Sequence, residues 1–182
     1  MHTGKTIRSA AAFVDASRSL VLLGLAVIAA PSIASAQVKG LVTQKALSLE
    51  MAQAIVQGTV ERCRADGFSV SVTVIDGSGL LKAFVRDEGN GPHTIDLSRR
   101  KAYTALTFAS RFASSLAFAT ARGSTLGSPM PNVEGTVGVG GGVPIKVGDV
   151  AIGAVGVSGA VGGDKDEICA NAGIAKVAHL LK

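Results

Sequence analysis

The chain has 182 residues, 47% of them hydrophobic and 17% charged, with 18 Lys or Arg against 13 Asp or Glu and a formal net charge of +5. That length fits one domain with a single core. An aromatic content of 4% without a Trp argues against a surface built to stack bases, so the positive charge does not indicate a nucleic-acid partner.

At the N-terminus Lys5, Arg8 and Arg18 precede the apolar run from Leu20 to Ala30, and Ala34-Ser35-Ala36 supplies the small residues of a cleavage site. Residues 1–36 read as a secretory signal peptide, which predicts a periplasmic or secreted protein. The run is too short to span a bilayer comfortably, although an uncleaved anchor stays open. No cysteine stands near the cleavage site, so a lipid anchor is not expected, and no stable membrane insertion is expected after cleavage. Cleavage removes three of the basic residues and one Asp. It leaves 15 basic against 12 acidic residues, a net charge of only +3.

Residues 37–46 form a short polar tether, and 47–182 form the domain. Ser48 precedes Leu49, Met51, Ala52, Ile55 and Val56, which recur at helical spacing and predict a first helix running to about Asp66-Gly67. From Ser69 to Ile75 polar and apolar residues alternate, with Val70, Val72 and Val74 on one face of a half-buried strand. Asp76-Gly-Ser-Gly79 turns the chain into an antiparallel partner, Leu80 to Arg86. After the loop Asp87 to His93, Thr94 is the expected N-cap of a helix through Phe108, with Ile95, Ala102, Tyr103 and Leu106 as its inward stripe. A further helix is predicted from Ser114 to Ala121, followed by a long connection from Gly123 to Gly135. Strands near Val143 to Val147 and Val150 to Val157 precede a last helix from Asp164, where Asp164 and Glu167 read as a capping pair and not a metal site. This order of strands and helices gives an α+β domain without internal repeats.

Eleven of the 23 glycines lie between Gly135 and Gly163, so this region specifies backbone geometry. They serve either to let a helix pack closely on the sheet or to let a ligand approach it. No Gly-Lys-Ser/Thr follows, which excludes a phosphate loop. Gly156-Val-Ser158-Gly-Ala160 lacks the last glycine of a nucleophile elbow. Cys63 and Cys169 fall in the first and last helices; in an exported chain they suggest a disulfide, and the alternative is two small buried hydrophobes.

Three patterns carry a resemblance: Asp76-Gly-Ser-Gly79 after Val74-Ile75; Arg100-Lys101-Ala-Tyr-Thr104-Ala105; and Gly141-Gly142-Val-Pro144-Ile145 followed by Gly156-Val-Ser158-Gly159 and Asp166-Glu167. In this order they resemble the GlcG/HbpS family of haem-binding proteins, from about Leu47 to the C-terminus. The resemblance implies a profilin-like fold, an antiparallel sheet of about five strands flanked by helices, and a homo-oligomer. It also implies haem as cofactor. The leading function is then an exported protein that captures, stores or delivers haem. A haem-degrading enzyme and a cofactor-free accessory or signalling protein are the alternatives.

An iron-porphyrin asks for an axial donor, an apolar slot and cations for its propionates. Only His93 and His179 remain as histidines after residue 36. His179 reads as a packing or surface residue on the closing helix. His93 stands on a loop at a helix start, where functional side chains are often presented, and is the candidate ligand to haem iron. Arg99, Arg100 and Lys101 follow as candidate partners for propionates or another small carboxylate ligand, with Asp87, Glu88, Asp96 and solvent as the ordinary alternative. Thr104, from the Lys-Ala-x-Thr-Ala helix, joins the candidate cofactor-binding set. Tyr103 and Met130 are secondary ligand candidates. No Cys-x-x-Cys-His occurs, so attachment is expected to be non-covalent.

Overall fold

A computed structural model describes residues 40–121 and 133–182. The proposed signal peptide, its cleavage site, Met130 and most of the connection after Gly123 lie outside the described residues. The chain divides between Leu41 and Val42, and everything below concerns the unit Val42–Lys182.

Its elements run α1 (Leu49–Ala65), β1 (Ser71–Asp76), β2 (Leu81–Arg86), α2 (His93–Thr107), α3 (Ser115–Ala121), β3 (Gly142–Val147), β4 (Val150–Ser158) and α4 (Gly163–Lys176). A short 3-10 turn, Ala178–Leu180, closes the chain. The sheet order is β2-β1-β4-β3, with every pair antiparallel. This is an α+β fold with helices on both sides of an antiparallel sheet. The described residues hold four strands and not about five: the alternating segments themselves supply four, and the larger number came from the resemblance alone. Pro144 is tolerated in β3 because that strand is at the sheet edge, where one side needs no ladder donor.

On one side, α1 and α4 cover Val70, Val72, Val74, Ile145, Val155 and Val157, the main core. Helix α1 starts where Ser48 Oγ accepts the Met51 N–H at 3.2 Å. It buries Ala52, Ile55, Thr59 and Cys63, spaced by three or four residues along one face. Cys63 is joined to Cys169 of α4, with Cα atoms 5.4 Å apart and a sequence separation of 106. Closing so long a loop restricts the unfolded chain. Replacing both cysteines by alanine is expected to lower unfolding free energy by about 2–4 kcal/mol in urea titrations. Two labelled thiols in the unreduced, denatured wild type would contradict it.

Helix α2 covers the other side, and here the structure corrects three expectations. Strand β1 is buried on both faces, since Ser71 and Thr73 are as inaccessible as the valines between them. The inward stripe of α2 is Thr94, Ser98, Lys101, Ala102 and Ala105, whereas Ile95 is 43% exposed. Small and polar residues win because the backbones are close. A Cβ on Gly156 would stand 2.6 Å from the Ala102 nitrogen, and one on Gly142 would stand 2.6 Å from the Lys101 carbonyl carbon. The polar groups are answered across the gap: Ser71 Oγ meets Thr94 Oγ1 and Thr73 Oγ1 meets Ser98 Oγ, each at 2.8 Å. Thr94 accordingly lies inside α2, with Pro92 at the N-cap position.

Candidate functional site

Two of the three sequence patterns converge at the end of the sheet where Ser71 pairs with Ser158, whereas the Asp76 to Gly79 turn lies at the opposite end of β1, beside Gly153. Lys101, two turns into α2, extends its Nζ to Asp166 Oδ2 of α4 at 2.7 Å, and both side chains are at most 3% exposed. Asp166 Oδ1 accepts the Ala160 N–H at 3.1 Å, fixing the loop after β4. The next residue, Glu167, accepts the N–H groups of Leu116 at 2.8 Å and Gly141 at 3.2 Å, tying α3 and the Gly141-Gly142 segment to α4. Gly142 N–H donates to Ser115 Oγ at 2.8 Å. These bonds replace the expected Asp164 and Glu167 cap: α4 begins at Gly163 after Gly162, without a side-chain cap. Asp166 and Glu167 are therefore the residues of this cluster that periodicity missed. Their signal was the Asp-Glu pair itself, which a helix start explains too cheaply.

Between α2 and the loop Ser158 to Gly163 lies a cleft of ≈ 390 Å³. His93 and Leu97 line it from α2 with Lys101 at its floor, the spacing of four placing all three along one helix face. Val139 and Ala160 give apolar wall, and Asn90 closes one side through its Nδ2 to the Ser158 carbonyl at 3.0 Å. Gly159, at φ +142°, comes so close to β1 that a Cβ would stand 2.9 Å from Val70 Cα. The loop that delivers His93 is anchored at Asp87, which takes two hydrogen bonds from Arg64 of α1 at 2.5 and 3.0 Å. The guanidinium holds that carboxyl well below the usual carboxylate range. Asp166 is shifted the opposite way: burial pushes it up to about 6 against the pull of Lys101.

The predicted site residues are divided by this arrangement. His93 is exposed and lines the cleft, and Lys101 lies in the same cleft but buried and neutralised by Asp166, not displayed as a surface cation. Arg99 and Arg100 line a separate, open depression of ≈ 550 Å³ with Asp96 and residues 133–136. There Arg99 pairs with Asp96 at 3.1 Å, and Arg100 donates to the Thr136 carbonyl at 2.7 Å. Thr104 is fully buried; its hydroxyl accepts the Val137 N–H and donates to the Arg100 carbonyl, each at 2.8 Å. Tyr103 packs between Gly79 and Gly135. His179 is exposed on the closing turn, and Met130 falls outside the described residues.

The family described as haem degrading protein HbpS-like matches residues 47–175. No curated protein matches the chain. Among solved structures, a double mutant of HbpS from Streptomyces reticuli is 34% identical over 80% of this chain and 97% of its own, with a TM-score of 0.66. A structure described as a PduOC:heme complex is 25% identical over 72% of this chain and 95% of its own, at a TM-score of 0.61. The Klebsiella pneumoniae protein ORFY is 22% identical over 78% and 98%, at 0.67, a likeness of fold alone.

Proposed function

The chain belongs to the HbpS-like family, and on that premise we propose an exported haem-binding protein, profilin-like in its fold and homo-oligomeric, that captures, stores or delivers the cofactor. The observation that carries this reading is the placement of His93. Its imidazole is exposed beside a cleft whose walls are Leu97, Val139, Ala160 and glycine backbone, the combination of donor and apolar surface that an iron-porphyrin requires. When bound, haem supplies the iron, and with it any oxygen chemistry. The chain supplies the axial donor, the apolar wall and the counter-charge. Lys101 is already neutralised by Asp166, which leaves Arg99, exposed, and Arg100, half-buried, in the neighbouring depression of the same helix as the cations for the propionates. Thr104 acts behind them, holding α2 against Val137.

Absorbance-monitored haem titration tests the assignment. His93→Ala is expected to shift or abolish the Soret band, while His179→Ala leaves it unchanged. Replacing Arg99 and Arg100 by Gln should weaken binding about two- to fivefold for each arginine, with no change in spectrum, because exposed charges position the ring without touching iron. A His93→Ala protein with wild-type spectrum and affinity would overturn the ligand assignment. A second reading, haem degradation, is favoured by the description of the matching family. Reductant and oxygen added to the complex separate the two: an enzyme bleaches the Soret band and releases iron, whereas a carrier does not.

A further inference from the structure

The floor of the cleft holds a charge arrangement that iron ligation leaves unused. Lys101 Nζ carries three donors, and its hydrogen bond to Asp166 Oδ2 occupies one. Both side chains are all but inaccessible, yet both line the cleft. Gly141 makes room for the pair, since a Cβ there would stand 2.8 Å from Lys101 Nζ and 2.9 Å from Asp166 Cβ. Above this polar floor the walls are Leu97, Val139 and Ala160. A space of ≈ 390 Å³ is at the lower end of ligand sites, which run from about 300 to 1,000 Å³.

A cation at the bottom and apolar walls above match a short aliphatic acid, with its carboxylate on the ammonium and its chain against Leu97 and Val139. The obstacle is Asp166, because a second carboxylate beside it is a like charge in a dry site. Two carboxyl groups brought together in this way hold one proton between them. We infer that the floor of the cleft is a binding site for a short aliphatic carboxylate, held by Lys101 Nζ and hydrogen-bonded to Asp166, and that one proton is taken up from solvent as it binds. Asp166 is poised for this, as burial already pushes it up to about 6. The titratable groups around it are Lys101 and His93 from α2 and Glu167 from its own helix, and the negative charge of Glu167 favours the same uptake. The inference rests on the cleft and not on the haem reading.

Butyrate is the probe. Titrated into the wild-type protein, it should shift the amide resonances of Ala160, Gly162 and Gly163 saturably, whereas butylamine should not. Affinity should rise by up to about tenfold per pH unit between pH 7.5 and 6.5. The Asp166 side-chain carboxyl carbon should move to its protonated shift as butyrate saturates, which assigns the proton to Asp166 rather than to His93. The Lys101→Met/Asp166→Leu double variant should lose the response, and the wild-type readouts decide the matter even if that variant does not fold. Absence of saturable shifts, shifts centred elsewhere, or binding without protonation of Asp166 would overturn the inference. Haem titration of the same sample is a separate readout, so failure with butyrate leaves the haem reading standing.

Discussion

Gly156→Val is expected to abolish recovery of folded protein, and Gly156→Ala to cost more than about 4 kcal/mol. Position 156 lies in the middle of β4, on the face that α2 covers. An added Cβ would meet the Ser98 carbonyl oxygen well inside contact distance, the Ala102 nitrogen at 2.6 Å and the Ala102 Cβ at 3.0 Å. Two of these atoms are backbone, so no rotamer change relieves the clash. Moving α2 outward would break the hydroxyl pairs that Thr94 and Ser98 make with β1 and pull Lys101 from Asp166. Overpacking usually costs 1–3 kcal/mol; a clash between two secondary-structure backbones belongs to the larger, exceptional class. Gly77→Ala is the control, because a Cβ there would meet nothing nearer than the Ile152 carbonyl oxygen at 3.4 Å, an ordinary contact. Urea midpoints of the alanine variants measure the difference, and a Gly156→Ala protein as stable as wild type would contradict the packing described for α2.

The second large effect is electrostatic. Lys101→Met is expected to cost about 3–5 kcal/mol at pH 7.5, because it leaves the Asp166 carboxylate buried without its counter-charge. The double variant Lys101→Met/Asp166→Leu should recover much of that loss, since an apolar pair carries no desolvation penalty. The single variant's penalty should also shrink as pH falls. Burial raises Asp166 above its ordinary value of 3.8 even with Lys101 present, to about 6, so its neutral form is favoured in the folded state below that pH. Urea titrations of the wild type, Lys101→Met, Asp166→Leu and the double variant at pH 7.5 and 5 give the coupling energy directly. A single variant no less stable than wild type, or a double variant worse than either single, would refute the account of the pair.

The strands and helices were legible because their patterns are local. Val70, Val72 and Val74 alternate as a core-facing strand must, and Ser48 marks the start of α1. The face of α2 was not legible, because its burial is decided by residues distant in sequence. Thr94 reads as an N-cap, and nothing marks Ser98 for burial, until Ser71 and Thr73 are set opposite them. Ile95 reads as core until the glycines of β3 and β4 are seen to leave space only for small side chains. The same holds for Lys101, whose partner lies 65 residues away on another helix. A contiguous run of Arg99, Arg100 and Lys101 suggests one basic cluster, but a helix turns each residue about 100° from the last. Two of the three thus face one depression and the third faces the cleft. The disulfide cysteines were visible as candidates from the sequence, while the pairing of Lys101 with Asp166 emerged only with the fold.

The most direct test of the central claim, that haem occupies the cleft between α2 and the Ser158 to Gly163 loop, is the footprint of ferric haem on the amide spectrum. Paramagnetic iron broadens nearby resonances, so one titration maps the site without any mutation. Broadening is expected to centre on Asn90, His93, Leu97, Val139 and Gly159 to Gly163, with the turn at Ala178–Leu180 and the Asp76 to Leu80 turn, at the far end of β1, left sharp. Broadening centred on His179 or on the Asp76 to Leu80 turn, or no saturable broadening at all, would contradict the claim.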